Sequence, residues 1–261
     1  MEYSKLEKIY PVHVYETGPD GRLNLHSLFD YLQDIASDHA VQLGFGRDDL
    51  MKQNHFWVLS RIYAEISVWP SWGETISIKT WPRGTDRLFA IRDFEVRYPD
   101  GRSIARATSS WLIIDRDSKR IQRPDNNLSL LNFEMAGEKA FPRNAMKLEP
   151  SAENGWCTSK FHVTISDLDV NLHTNNARYL KWVTDSYDLD FILNNVPLSA
   201  EINYLAESLF NESIAITISE ESNDSNVLNH SIMRTSDNTE LCRVRISWKK
   251  NHLQQINNSG T

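Results

Sequence analysis

The stretch DVNLHTNN, residues 169–176, places Asp169, Asn171, His173, Asn175 and Asn176 within eight positions. On an extended segment, alternate residues share a face, so Asp169, Asn171 and His173 would stand a carboxylate, an amide and an imidazole side by side. The same stretch leads into TNNARYLKWVTDSYDLDFIL, for which Thr174 or Asn175 is a plausible helix N-cap. Amide groups at a helix start point outward and the macrodipole favours negative charge, which suits the oxyanion formed when a nucleophile attacks a carbonyl. The asparagines equally fit plain capping, but together the groups point to acyl transfer or acyl hydrolysis.

The elements that hold these residues follow from periodicity. In the first half, YPVHVYET alternates Tyr10, Val12 and Val14, and the next segment sets Leu25, Leu28, Phe29, Leu32, Ile35 and Ala36 at helical spacing. Strand-like runs follow in FWVLSRIYAEISVW, GETISIKTW, LFAIRDFEVRYPDG and RSIARATSSWLIIDR, separated by Pro, Gly and Asp turn signals. The second half repeats this order. SKFHVTIS alternates Phe161, Val163 and Ile165, one long helix carries Ala177, Leu180, Val183 and Tyr187, and the strands AEINYLAESL, SIAITISEE, NHSIMRTS and ELCRVRISWKK follow. LNLHS at 23–27 echoes VNLHT, matching Asn24 and His26 to Asn171 and His173, and Trp111 matches Trp248. Arg22 then stands where Asp169 stands, and the first copy has an apolar helix start at Leu28 and Phe29. The reading confines the chemistry to the second module.

Two modules on one chain predict residues 1–125 as an N-terminal module, 126–155 as a polar, Pro-bearing linker, and 156–261 as a C-terminal module. A lone helix with a wide apolar stripe is best buried by a curved antiparallel sheet. The class is α+β, and the arrangement resembles a tandem double hot-dog fold, in which a long helix is wrapped by a sheet in each module. Two such modules would form an internal pseudo-dimer and cover each other's sheet edges. The chain itself would be a monomer or a homodimer.

Composition sets the outer bounds. A formal charge of −7 disfavours nucleic acid or an anionic membrane as the main partner. No apolar run resembles a signal peptide or a membrane span, and Cys157 and Cys242 are too few for a zinc cluster or disulfide framework. A cytoplasmic protein with reduced thiols is the expectation.

Taken together, these blocks resemble the acyl-ACP thioesterases, of the plant fatty-acyl type and bacterial relatives. Asp169, Asn171, His173, Asn175 and Asn176 meet the signature D-x-N-x-H-x-N-N, and residues 57–82 and 105–124 look like further family blocks. The resemblance covers about 10–250 and implies hydrolysis of the thioester between a fatty acyl chain and the phosphopantetheine arm of acyl carrier protein. It implies no metal and no organic cofactor. Its catalytic residues carry over to Asp169, Asn171, His173 and, on the strand after the helix, Glu207. Where plant members read EYRREC this chain reads NYLAES, so the cysteine once proposed there as nucleophile is Ser208.

Strand parity sets Asn203, Leu205 and Glu207 on one face and Tyr204, Ala206 and Ser208 on the other. Glu207 either looks across to a neighbouring surface or is re-aimed by a bulge. Direct hydrolysis is expected: Glu207 or Asp169, acting with His173, takes a proton from water while Asn171 and helix amides hold the oxyanion. Ser208 remains an alternative nucleophile if a base lies close. Leu25, Leu28, Phe29, Leu32 and Ile35, with Trp57 and Val58, either line an acyl tunnel or pack as core. WPRGTDR, RDSKRIQR and CRVRISWKK are candidate docking groups for the acidic carrier, or ordinary solvated faces. The rival readings are an acyl-CoA thioesterase of the same fold and a non-catalytic acyl-binding sensor.

Overall fold

The computed structural model describes residues 5–124, 138–150, 155–221 and 224–251. The chain divides into two compact units, Met1–Met146 and Lys147–Thr261.

In the first unit, β1 (Leu6–Pro11) leads through a 3-10 turn (Val14–Glu16) into α1 (Leu25–Gln42), a short α2 (Arg47–Lys52), and the strands β2 (His55–Ile66), β3 (Thr75–Asp86), β4 (Phe89–Arg97), β5 (Ser103–Asp115) and β6 (Ile121–Gln122). The sheet order is β1-β3-β4-β5-β2, all pairs antiparallel, with β6 beside β5. The expected strand through Val14 stops short: the Val12 N–H still donates to Glu74 O at 2.9 Å, but from His13 the chain turns into the 3-10 turn, closed by Glu16 N–H to His13 O at 3.1 Å. Val12 is buried, whereas Val14 is exposed.

The helix face read from the sequence is the buried face. Leu25, Leu28, Phe29, Leu32, Ile35 and Ala36 of α1 are all buried, and α1 packs on β3. Below it lie Ile76 and Ile78, together with a buried polar group in which Arg92 Nη1 bonds His39 Nδ1 at 2.9 Å and Thr80 Oγ1 at 3.2 Å. Burial pulls the Arg92 guanidinium down to about 9.

The opposite face of this sheet carries a strap of chain. Part of the expected linker, 126–137 and 151–154, lies outside the described residues. Residues 138–146 are packed chain: Ala140 and Phe141 form a buried cluster with Trp81, and Phe141 meets the Tyr63 ring edge-on at 5.1 Å. Trp81 Nε1 donates to Glu138 O at 2.8 Å, and the Ala140 N–H donates to the buried Asp93 carboxylate at 2.8 Å. Two apolar side chains among polar neighbours have no period, so this strap left no pattern to read.

The second unit follows the same plan with β7 (Trp156–His162), a 3-10 turn (Ile165–Asp167), α3 (Asn176–Asp185), α4 (Leu189–Asn194), β8 (Asn195–Tyr204), β9 (Ser213–Glu221), β10 (Asp224–Arg234) and β11 (Thr239–Lys250). Its sheet order is β8-β11-β10-β9-β7, again antiparallel. Helix and antiparallel sheet in each unit make the chain α+β, consistent with the double hot-dog expectation.

One expected long helix is two short ones here. At the end of α3, Ser186 Oγ donates to the Val183 carbonyl at 2.6 Å and Thr184 Oγ1 donates to the Leu180 and Lys181 carbonyls. Asp188 then caps α4 by accepting the Phe191 N–H at 2.7 Å. Tyr187 sits in the break, stacked on Phe191, with its hydroxyl on the buried His230.

Candidate active site

The residues of the polar phrase come together through a tight turn rather than along a strand face. After the 3-10 turn, Asp169 N–H donates to His173 O at 2.8 Å and Leu172 N–H to Asp169 O at 3.0 Å, while Leu172 takes a left-handed φ of 65°. The Asp169 carboxylate closes the turn from inside. It accepts the N–H of Asn171 at 2.7 Å and of His173 at 3.2 Å, with Asn171 Nδ2 at 3.4 Å. It therefore holds the backbone of His173 and makes no bond to the ring. Asp167 is likewise structural, accepting the Thr164 N–H and hydroxyl at 2.8 and 2.7 Å.

Asn175, not Thr174, is the N-cap of α3. Its side chain takes the Ala177 N–H at 2.8 Å and its carbonyl takes the Arg178 N–H at 2.9 Å. The cap thus consumes two of the helix-start amides that the sequence assigned to an oxyanion.

Glu207 reaches the site because its strand has stopped. β8 ends at Tyr204, and the Leu205 and Ala206 N–H groups both converge on Leu241 O, at 2.9 and 3.2 Å. Two donors on one carbonyl end the regular ladder. Glu207 then leaves strand parity behind, and its Oε2 lies 3.4 Å from His173 Nε2. Of the two expected alternatives, the bulge describes this: two residues, Leu205 and Ala206, stand against the one carbonyl of Leu241, and the extra residue re-aims Glu207. Both side chains keep solvent access, at 37% for His173 and 54% for Glu207.

Ser208 is fully buried and fully engaged. Thr174 donates to Ser208 O from its N–H at 3.0 Å and its hydroxyl at 3.1 Å, Ser208 Oγ donates to Thr174 Oγ1 at 2.7 Å, and Tyr179 OH lies 2.9 Å from Ser208 Oγ. Burial pushes the Tyr179 phenol well up, so it stays a neutral partner. A sealed hydroxyl with its proton on Thr174 and no adjacent base is not a nucleophile.

Comparison with known proteins follows this geometry. Residues 4–129 match the acyl-ACP thioesterase N-terminal domain, and residues 151–250 match the acyl-ACP thioesterase C-terminal domain. The chain belongs to the acyl-ACP thioesterase family. It is 26% identical to a chloroplastic palmitoyl-acyl carrier protein thioesterase of Gossypium hirsutum, covering 95% of this chain and 65% of that one. It is 28% identical to chloroplastic oleoyl-acyl carrier protein thioesterase 2 of Arabidopsis thaliana, covering 95% of this chain and 77% of that one. The chain thus spans just under two thirds of the cotton relative's length.

Solved structures share the fold. An acyl-ACP thioesterase from Bacteroides thetaiotaomicron matches with a TM-score of 0.84 at 23% identity, covering 95% of this chain and 100% of that one. The 12:0-ACP thioesterase from Umbellularia californica matches at 0.81 with 20% identity, covering 95% and 98%.

Within this chain, the backbone also corrects the internal alignment. The turn of the first unit repeats that of the second bond for bond: Gly18 N–H to Arg22 O at 2.8 Å, Gly21 N–H to Gly18 O at 2.9 Å, and Asn24 N–H to Glu16 O at 2.9 Å, where Asn175 N–H meets Asp167 O at 2.8 Å. Asn24 therefore corresponds to the cap Asn175, and His26, inside α1, corresponds to Ala177. The echo of LNLHS in VNLHT is out of register with the fold. At the positions of Asp169, Asn171, Leu172 and His173 the first unit has Gly18, Asp20, Gly21 and Arg22, and Arg22 Nε is already bonded to Asp20 at 2.8 Å. Leu23 N–H to Pro70 O matches Thr174 N–H to Ser208 O, so Trp69 stands where Glu207 stands. The first unit has neither the imidazole nor the carboxylate. Trp111 and Trp248 do agree in register, since Ala64 faces Ala107 as Ile202 faces Val244.

Proposed function

We propose that the chain hydrolyses the thioester of fatty acyl-acyl carrier protein, releasing free fatty acid and carrier thiol. The observation that carries this reading is the His173–Glu207 pair, 3.4 Å apart, in a chain of this family. Glu207 is the carboxylate available for proton transfer, because that of Asp169 is occupied by backbone donors.

In the proposed step, the Glu207–His173 pair takes a proton from water as its oxygen attacks the thioester carbon. The Asn171 side-chain amide donates to the developing oxyanion, in place of the helix amides that the cap occupies. The C–S bond then breaks, and the pair returns the proton to the leaving thiol. These residues need no metal or cofactor for that sequence of steps.

The relatives are named for palmitoyl, oleoyl and dodecanoyl chains on acyl carrier protein, which supports a fatty acyl substrate and a place in fatty acid biosynthesis. We extend the proposal to a cytoplasmic location, which fractionation of the producing cell tests. No helix among the described residues is long and apolar enough to cross a membrane.

The test is thiol release from palmitoyl-, oleoyl- and dodecanoyl-carrier protein and from the matching acyl-CoA. Hydrolysis on the carrier protein that falls by about 10²–10⁴ in His173→Ala and Glu207→Gln supports the proposal. Full activity in either variant sinks the mechanism, and a preference for CoA sinks the carrier assignment. Light scattering of the same preparation separates monomer from homodimer.

A further inference from the structure

We propose that Arg234 is a positioning residue for Glu207, an inference that rests on the hydrolytic reading above. Once β8 ends at Tyr204, no sheet ladder holds residue 207, yet its carboxylate must stay within ion-pair distance of His173. Arg234, at the end of β10, supplies the hold. Its Nη2 donates to the Glu207 carbonyl at 3.3 Å and its Nη1 to Glu212 Oε1 at 3.1 Å, and Nε lies 3.6 Å from Asp237. Glu212 in turn accepts the Leu209 N–H at 3.0 Å, so one guanidinium ties both ends of the loop that carries Glu207. Both Arg234 and Glu212 are about four-fifths buried, at 21% and 20% side-chain exposure, which keeps the pair from being a mobile surface contact.

The first unit provides the comparison. Its equivalent loop is closed by Glu74, which accepts the Ser71 N–H at 2.6 Å as Glu212 accepts that of Leu209. There the second partner of the glutamate is the Tyr98 hydroxyl, at 3.1 Å. Ser77 pairs with Arg97 in β3–β4, so one residue on Tyr98 comes opposite Ile76, just as Arg234 pairs with Ile214 in β9–β10. A phenol has a single donor and serves the loop glutamate alone. A guanidinium has a fork of donors and reaches the backbone of residue 207 as well. The guanidinium fork stands in the unit whose loop carries a glutamate, and the single-donor phenol stands in the unit whose loop carries Trp69.

The test is a mutant cycle on palmitoyl-carrier protein with Arg234→Met, Arg234→Lys, Glu207→Gln and the Met/Gln double variant. If Arg234 acts by aiming Glu207, Arg234→Met lowers kcat by about 10- to 100-fold with KM within about twofold, and Arg234→Lys recovers part of it. In the Glu207→Gln background, Arg234→Met has no further effect on kcat, because nothing is left to aim. Loss that multiplies in that background, or an Arg234→Met enzyme with wild-type kcat, overturns the inference and leaves the Glu207 role standing. Full activity in Glu207→Gln overturns both. Should Arg234→Met not fold, Glu212→Gln keeps an oxygen for the Leu209 N–H while removing the ion pair. The same non-additivity with Glu207→Gln is then the expected result, and full additivity the overturning one.

Discussion

The Asp169 carboxylate accepts the backbone N–H of His173 at 3.2 Å, so the acid of the signature shapes the turn and leaves the imidazole to Glu207. An asparagine oxygen can accept the same two N–H groups. Asp169→Asn is therefore expected to keep the fold and to keep kcat within about tenfold, whereas Asp169→Ala frees the Asn171 and His173 amides and costs roughly 1–3 kcal/mol of stability. Parallel urea melts and steady-state assays check this. Equal inactivation of the two variants would mean that the charge itself is needed.

Ser208 separates a structural hydroxyl from a nucleophile. Its Oγ joins Thr174 and Tyr179 in a chain with no exposed member. Ser208→Ala leaves the Tyr179 hydroxyl unpaired in a buried site, costing about 1–3 kcal/mol of stability, while kcat stays within about tenfold. Single-turnover kinetics with trapping gives a second readout. A covalent acyl-serine, or complete loss of activity in a folded variant, would restore the nucleophile reading.

What the sequence makes legible here depends on how many residues share in a signal. Six apolar positions over α1 point one way, and long alternations such as Ile62, Ala64 and Ile66 keep their parity, so helix face and strands agree with the structure. For Glu207 the alternation continues on paper through Ser208 and leaves a bulge as one of two alternatives, and only the two amides sharing Leu241 O select it and end the ladder at Tyr204. The Asn-His echo departs from the fold for a related reason. Asn24 and Asn171 share a letter, whereas the register of the turn is carried by backbone bonds and by left-handed residues at Gly21 and Leu172.

That register makes its own prediction. Leu172 holds a φ of 65° where the first unit uses Gly21 at 75°, and the residue is 71% exposed. A β-carbon in this region costs about 1–2 kcal/mol, and glycine returns about 0.5–1 kcal/mol of that as unfolded-chain entropy. Leu172→Gly is expected to raise stability by up to about 1 kcal/mol, read as a higher urea midpoint at unchanged m-value. A lower midpoint would show that the exposed leucine makes a stabilising contact.

His230 gives the second unit a dependence on pH that is separate from catalysis. It is completely buried, its Nδ1–H donates to Val244 O at 3.0 Å, and its Nε2 accepts the Tyr187 hydroxyl at 2.5 Å. Burial pulls the imidazole from the usual 6.5 down to about 4, so the folded state holds it neutral. The unfolded chain takes up a proton first as pH falls. The contribution is therefore complete above pH 6.5 and is lost progressively down to about 4, roughly 3 kcal/mol in all and about 2 kcal/mol by pH 5. In the first unit the β4 residue in this register is Phe94, since Phe94 faces Thr80 as His230 faces Ile218. His230→Phe combined with Tyr187→Phe removes the titrating ring without stranding the phenol. Urea midpoints at pH 7.5 and pH 5 should draw together in the double variant by the equivalent of about 2 kcal/mol. An unchanged gap between the two pH values would show that other groups carry the acid sensitivity.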